Sequence, residues 1–396
     1  MSNFSSTTVD DSGDVHGQVT LAIGSAGLPV IAYTSQSGEV RLAERINGEW
    51  IITKPPCGTA TRDEYRISLD LDSKSEPHIA LTNAFTDPQT TAHMDRLVYG
   101  RRGQQQWDFD VVPTEGGLFP GSVRFPSMKL YKGFRELRDE NTGRTPFEDS
   151  PQICYQAAQG ILELRHMAKL RPRDNPDASP VWRKHVNTVD TASSEAGWFA
   201  TLGISTDDII RIAYFSDLTQ LGFPGRRRLH LTTMRTNPEI PDRPLARAQE
   251  GWHMETLDGV DRQIIGEFPS LALMIRDAGA VSYSSIDQAT QKRTLNLCIF
   301  GREPGLPVVE VVTANVDVGG SRSSVARSLS GRWCVLYGFE GRLKFATRTG
   351  PGTFTIEDVE VGGDWPSMVV NDDGNMQIAH VAGGTLRFVI AQPEGE

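Results

Sequence analysis

Apolar and polar residues alternate with a period of two in short runs along nearly the whole chain, and long amphipathic helical stretches are hard to find. Aligned by their aromatic positions, the runs fall into a recurring unit of four strands. The second strand reads PVIAY, PHIAL, PQICY, IRIAY, GAVSY, WCVLY and MQIAH. The third reads GEVRLAER, DRLVYGRR, GILELRHM, RRLHLTTM, RTLNLCIF, GRLKFATR and GTLRFVIA. The fourth, of the form W-x-h-x-x-V-D, appears only six times, from EWIITKP to FTIEDVEV.

The seventh unit spans about 364–392 and ends after its third strand, whereas the stretch Ser5-Ser6-Thr7-Thr8-Val9-Asp10 stands alone at the start. A lone strand leaves an unpaired edge. The sequence of this strand resembles VNTVD, the fourth strand of unit three. The pattern therefore predicts an all-β, seven-bladed β-propeller of four-stranded antiparallel blades, a single domain over 1–396, with strand 5–10 completing the last blade and closing the ring. An array of β-sandwiches would not explain the missing strand.

Residues that recur in every unit are expected to solve a packing problem that every blade shares. This is the reading for the fourth-strand tryptophans (Trp50, Trp107, Trp182, Trp252) and the second-strand tyrosines. Leu81 and His380 replace the tyrosine in two units. His380 is either a satisfied structural histidine or a proton shuttle, and Tyr283 shares the second option.

The residues that open the innermost strands should surround one mouth of the axial channel. They are Glu64, Tyr65, Arg124, Trp198, Glu267, Arg322, Asp364 and Trp365. Long, dissimilar insertions and links at 83–95, 113–125, 216–228, 258–268 and 284–292 fall on the same face, as expected of loops that build one site on a rigid scaffold. Glu267 follows Ile264-Ile265-Gly266 and precedes Phe268, an apolar setting that suits a general acid or base. Arg124 is positioned to hold a carboxylate or oxyanion. The candidate catalytic set is Glu267, His380, Tyr283 and Arg124; the candidate substrate-binding set is Tyr65, Trp198, Arg322, Trp365 and Asp217.

Charge and motifs narrow the partners. The net charge of −10 argues against nucleic acid and anionic membranes, and Arg226-Arg227-Arg228 reads as a solvated strand end. No apolar stretch has transmembrane length and no signal peptide is evident, so a cytoplasmic location is expected. Cys57, Cys154, Cys298 and Cys334 are far apart, as buried thiols rather than metal ligands. The eight histidines share no register, and no nucleotide-binding or metalloprotease motif appears, so no cofactor or metal is expected. Oligomeric state is not readable.

In the first unit, Tyr33, Gly38, Val40, Arg41, Ala43, Gly48 and Trp50 form the pattern Y-x(4)-G-x-h-R-x-A-x(4)-G-x-W. This pattern resembles the repeats of fungal fucose-binding lectin-like propellers. The resemblance implies a sugar-binding lineage, in which Arg, Glu and Trp ligands recur from blade to blade. Here no such triad recurs. An asymmetric lectin-like propeller is similar to those recruited as biosynthetic cyclases. The leading expectation is a cofactor-independent enzyme (cyclase or pericyclase, isomerase or lyase) acting on a small organic molecule in one axial pocket. The alternatives are a lectin-like binder of a sugar or small ligand and a protein-interaction scaffold.

Overall fold

A computed structural model describes residues 3–60, 67–86, 93–103, 106–113, 123–132, 144–145, 148–158, 162–172, 175, 177–184, 189, 195–206, 209–217, 227–234, 252–258, 264–274, 278–287, 290–301, 307–314, 316 and 322–392. It is a seven-bladed β-propeller. After an opening strand β1 (Asn3–Asp10), blade one is formed by β2 (Val15–Ile23), β3 (Pro29–Ser35), β4 (Val40–Ile46) and β5 (Glu49–Thr53). Blade two follows with β6 (Ile67–Leu71), β7 (Pro77–Thr86), β8 (His93–Arg102) and β9 (Trp107–Val111). Blade three contains β10 (Val123–Tyr131), β11 (Arg144–Thr145), β12 (Ser150–Ala158), β13 (Leu162–Pro172) and β14 (Val181–Lys184). Its β11 is a two-residue bridge folded back onto the end of β13.

Blade four is β15 (Glu195–Ile204), β16 (Ile210–Asp217), β17 (Arg227–Met234) and β18 (Trp252–Asp258). Blade five is β19 (Ile264–Leu273), β20 (Gly279–Asp287), β21 (Arg293–Phe300) and β22 (Val308–Ala314). Blade six is β23 (Ser323–Arg327), β24 (Trp333–Phe339), β25 (Arg342–Gly350) and β26 (Thr353–Val361). Blade seven supplies β27 (Asp364–Val370), β28 (Met376–Ala382) and β29 (Thr385–Gln392). Its fourth strand is β1, antiparallel to β29 from Asn3↔Gln392 to Asp10↔Leu386. The expected ring closure is therefore present, and β1 starts two residues before the stretch that predicted it.

Burial falls from the second strand of each blade to the rim. Every residue of β3, PVIAYTS, is buried, whereas β5, EWIIT, is mostly exposed. The second strand is covered on both faces by neighbouring blades, so it reads as an unbroken apolar run. The core divides into seven apolar clusters, one at each seam between adjacent blades. The seam between blades seven and one holds Val9 of β1, Tyr33 and Phe388 together, so the chain's first strand is part of its core. Trp252 is buried at the seam between blades three and four, and Trp50, Trp107 and Trp182 pack against other seams. The recurrent aromatic residues are thus packing residues. The four cysteines are free and buried. Among the described residues, no helix is long and apolar enough to cross a membrane, and no group of three or more His, Cys, Asp or Glu side chains is placed to hold a metal ion.

Candidate functional site

The innermost strands β2, β6, β10, β15, β19, β23 and β27 surround an axial channel of about 440 Å³. Five of them break register, β2 between His16 and Thr20 and four others at a common point. In β10, β15, β19 and β27 a bulge follows Arg124, Trp198, Glu267 and Asp364, and pairing resumes at Ser127, Thr201, Ser270 and Ser367. A bulge leaves a residue unpaired and re-aims its side chain. The re-aimed residue is aromatic each time: Phe125, Phe199, Phe268 and Trp365, with φ of 53°, 55°, 50° and 52°. Bulky side chains rarely adopt this left-handed region, and such strain collects at functional sites. In three blades proline comes next, at 126, 269 and 366. Proline brings no N–H, so the bulge leaves no donor orphaned there.

These four residues make a collar at one end of the channel. Phe125 packs tilted against Phe199 at 4.8 Å between ring centroids, Phe199 tilted against Phe268 at 4.6 Å, and Phe268 meets Trp365 edge-on at 6.3 Å. Guanidinium groups cover the collar. The Arg322 guanidinium carbon sits 3.4 Å from the Trp365 centroid and 4.9 Å from Phe268. Arg227 lies 4.5 Å from Trp198 and donates to the Gly266 carbonyl at 3.1 Å. Such stacking adds cation–π attraction and fixes the plane of each guanidinium. Arg227 is therefore no solvated strand end: Trp198 and Phe199 give its charge an aromatic surface to lie on.

One layer deeper, small hydroxyl residues tie each inner strand to the next. Ser68, Ser127, Ser270, Ser324 and Ser367 accept backbone N–H groups of Met128, Leu202, Val325, Met368 and Leu21 at 2.9–3.2 Å. Thr20 donates to the Ile67 carbonyl at 2.7 Å. Six of the seven seams carry this link. At the seventh, Thr201 holds the equivalent place in the register. Adjacent inner strands run side by side without ladder bonds, and the hydroxyl spans the gap.

The structure gathers some of the sequence-derived candidates and separates others. Arg124, Trp198, Glu267, Arg322 and Trp365 all lie at the collar end. Glu267 is not in the apolar setting that the flanking isoleucines implied. The chain turns at the Phe268 bulge, and the Glu267 carboxylate meets the Arg293 guanidinium at 2.5 Å. Trp198 is partly buried, and its indole N–H has no acceptor among the described residues. Asp217 closes the inner hairpin of blade four, pairing with Glu195 and Arg227. Tyr65, Glu64 and most of the insertions expected on this face (87–92, 114–122, 218–226 and 259–263) lie outside the described residues.

Tyr283 and His380 are fully buried at blade seams, away from the channel lining. Each meets a carboxylate from the fourth strand of the preceding blade. Tyr283 donates to Asp258, and His380 pairs with Glu360, which Arg387 also reaches at 3.3 Å. Tyr33 does the same, donating to Asp10 at 2.7 Å, where Arg41 also binds at 2.9 Å. The acidic residue ending the W-x-h-x-x-V-D strand is thus the seat of an inter-blade latch. Burial works against the Glu360 charge, yet hydrogen bonds from His380 and Ser6 hold its pKa down at about 2.

No known family model matches this sequence, and no curated protein matches it. Solved structures share the fold. A polysaccharide lyase of family PL25, an ulvan lyase bound to a GlcA(1-4)Rha3S saccharide, aligns with a TM-score of 0.57 at 12% identity, covering 97% of this chain and 95% of that one. The α-L-arabinofuranosidase Arb93A from Fusarium graminearum, in complex with an iminosugar inhibitor, aligns at 0.51 and 11% identity, covering 82% and 92%. The SapL1 lectin in complex with α-methyl fucoside aligns at 0.49 and 9% identity, covering 88% and 98%. At such identities the likeness is one of fold.

The collar residues Phe125, Phe199 and Phe268, with Arg227, Arg293 and the hydroxyl belt, escaped the reading of the sequence. Their signal is present as the tetrapeptides RFPS at 124–127, EFPS at 267–270 and DWPS at 364–367. Each contains the pre-bulge residue, the collar aromatic, the donor-free proline and the belt serine in order.

Proposed function

We propose that this propeller is a carbohydrate-active protein with one site, at the collar end of its axis, and that it acts on the bound sugar by acid–base chemistry. One observation carries the reading: aromatic faces, stacked guanidiniums and an oriented carboxylate meet at a single place on an otherwise repetitive scaffold. Pyranose rings present C–H faces that pack on Trp365, Phe268 and Trp198, and their hydroxyls suit Arg322 and Arg124. Glu267, held in place by Arg293, is the group offered for proton transfer. A lyase or isomerase fits this set better than a biosynthetic cyclase, because the mouth is polar and stacked rather than enclosed by apolar walls. The likeness in fold to proteins named as a polysaccharide lyase and an arabinofuranosidase supports the reading.

A second reading, lectin-like binding without turnover, is favoured by the stacking surfaces themselves. The two part on Glu267→Gln. Oligosaccharide libraries are screened for binding by calorimetry and for new chain ends by chromatography. Turnover lost with binding kept supports the enzyme. Binding without turnover in the parent protein supports the lectin. Binding indifferent to Trp365→Ala and Arg322→Gln would remove the site from the mouth.

A further inference from the structure

The aromatic collar is interrupted at blade one. Its inner strand β2 breaks register between His16 and Thr20, where Gly17, Gln18 and Val19 stand against Tyr33 alone. The left-handed conformation falls on Gly17, with φ 80°, which has no Cβ to strain. Gln18, two residues before the belt residue Thr20, therefore brings an amide to the position where Phe125, Phe199, Phe268 and Trp365 bring rings.

The neighbour on one side is blade seven. Ser367 accepts the Leu21 N–H at 3.0 Å, so β27 and β2 run side by side with Asp364 level with Gln18. Asp364 pairs with Val381, a member of the apolar cluster at the seam between these two blades. Directly opposed residues share a face of the sheet, so the Asp364 side chain is on the face turned to blade one. Trp365 packs on the same cluster and lines the channel, as does Gln18.

Both polar groups have acceptors to spare. The Gln18 side-chain oxygen is buried and has no donor among the described residues. An unmet acceptor is costly, and no bond holds this one in its present orientation, so a ligand turns the amide without breaking anything. Asp364 is exposed and makes no hydrogen bond or ion pair among the described residues. An ionised carboxylate and an amide carbonyl only accept. Adjacent hydroxyls on a sugar ring each bring a proton to them, and their lone pairs suit the Gln18 amide N–H groups. A uronate or sulfate would set a second negative charge beside Asp364. An ammonium would approach the Arg322 guanidinium that lies on Trp365. Neutral hydroxyls meet neither repulsion.

We propose that Asp364 and Gln18 form a subsite, at the seam between blades seven and one, that reads two adjacent hydroxyls of a neutral sugar ring packed on Trp365. This rests on the reading that the collar end is the ligand site. The test is calorimetry on the full chain with cellotetraose, mannotetraose and galactotetraose, then with the uronate and amino-sugar counterparts of whichever binds. The expected result is that a neutral probe binds about tenfold or more tighter than its uronate counterpart, and tighter than its amino counterpart. Asp364→Asn and Gln18→Leu should each weaken the neutral probe by about tenfold, the range of one lost bond. Asp364→Asn should also narrow the gap to the uronate to about threefold or less, which a merely structural change would not do. Neither side chain has a partner to lose, so both variants should melt with the parent. If a neutral probe binds and Trp365→Ala abolishes it, but both variants keep affinity within about twofold, the ligand site stands and the subsite is refuted. A uronate or amino probe that outbinds its neutral counterpart also refutes the subsite. If no probe binds, or binding ignores Trp365→Ala, the ligand site itself is refuted, and the subsite with it.

Discussion

Asp10→Ala is the sharpest test of how the ring is closed. Asp10, 7% exposed at the end of β1, receives the Tyr33 hydroxyl at 2.7 Å, Arg41 at 2.9 Å and the Ser12 N–H at 2.9 Å. Removing the carboxylate leaves the Tyr33 hydroxyl, wholly buried, with no acceptor, at a cost of about 1–3 kcal/mol. The bond from Arg41 was charge-assisted and adds about 1 kcal/mol, tempered because Asp14 and Glu39 still pair with Arg41 at 2.8 and 3.0 Å. The expected total is about 3 kcal/mol. Unfolding entropy of about 2 cal/mol/K per residue gives about 0.8 kcal/mol/K for 396 residues, so Tm should fall by about 4 °C. Tyr33→Phe alone should cost about 1 kcal/mol, because it removes the group that would be orphaned. In the double variant the effects should fall short of additivity by about 1–2 kcal/mol. The assay is thermal and urea denaturation of the four proteins. An Asp10→Ala protein that melts within about 1 °C of the parent would refute the latch, and additive effects would refute its coupling to Tyr33.

Deleting residues 1–12 removes the latch together with the whole β1–β29 ladder, so Tm should fall further than in Asp10→Ala, by about 10 °C or more, and light scattering should rise as the β29 edge is bared. Glu360 has a folded pKa of about 2 against the usual 4.5, so its contribution is complete above pH 4.5 and drains as pH falls towards 2. That gap corresponds to about 3 kcal/mol, trimmed to about 2 by partial exposure; denaturation of Glu360→Gln should show a flatter acid limb than the parent between those pH values. Ser367→Ala orphans the Leu21 N–H and should cost about 1–2 kcal/mol by urea unfolding, with sugar affinity measured in parallel. Trp365→Gly relieves a left-handed aromatic residue but removes a ring packed on Phe268, Arg322 and the seam between blades seven and one, so it should cost a net of about 1–2 kcal/mol by urea unfolding while sugar affinity drops at least tenfold.

The architecture was legible because a propeller repeats its packing problem. Seven second strands, seven third strands and six fourth strands left one vacancy, and the opening SSTTVD had the sequence to fill it. The mouth residues could be placed by register alone, since Arg124, Trp198, Glu267, Arg322 and Trp365 all fall where inner strands begin. What could not be read were contacts made across a seam. The acid at the end of a fourth strand was visible as a motif, but its partner is a tyrosine or histidine of the following blade, and chain spacing does not announce that pairing. His380 looked like a candidate shuttle because its partner Glu360 belongs to another sheet. Glu267 looked apolar because Arg293 approaches from β21, outside the local window. The collar was hidden for a different reason: aromatic residues at positive φ run against backbone preference, so EFPS read as an ordinary strand rather than a bulge.

Uniformity and variation then separate the two tasks of the inner strands. The belt position is Ser or Thr in all seven blades, Thr20, Ser68, Ser127, Thr201, Ser270, Ser324 and Ser367. Six of these residues bridge a seam, five serines by accepting a backbone N–H and Thr20 by donating to a carbonyl. A position held constant around the ring answers a demand every seam makes. Two residues earlier, the collar is aromatic in blades three, four, five and seven but Gln18 in blade one, and one residue before that stand Arg124, Trp198, Glu267 and Asp364. No seam requires that mixture, since the blades close equally well around each member. Within fewer than five residues, each inner strand therefore passes from a position fixed by architecture to one free of it. The free positions are those that face the mouth, so the chemistry of this propeller is most concentrated where its repeat is least regular.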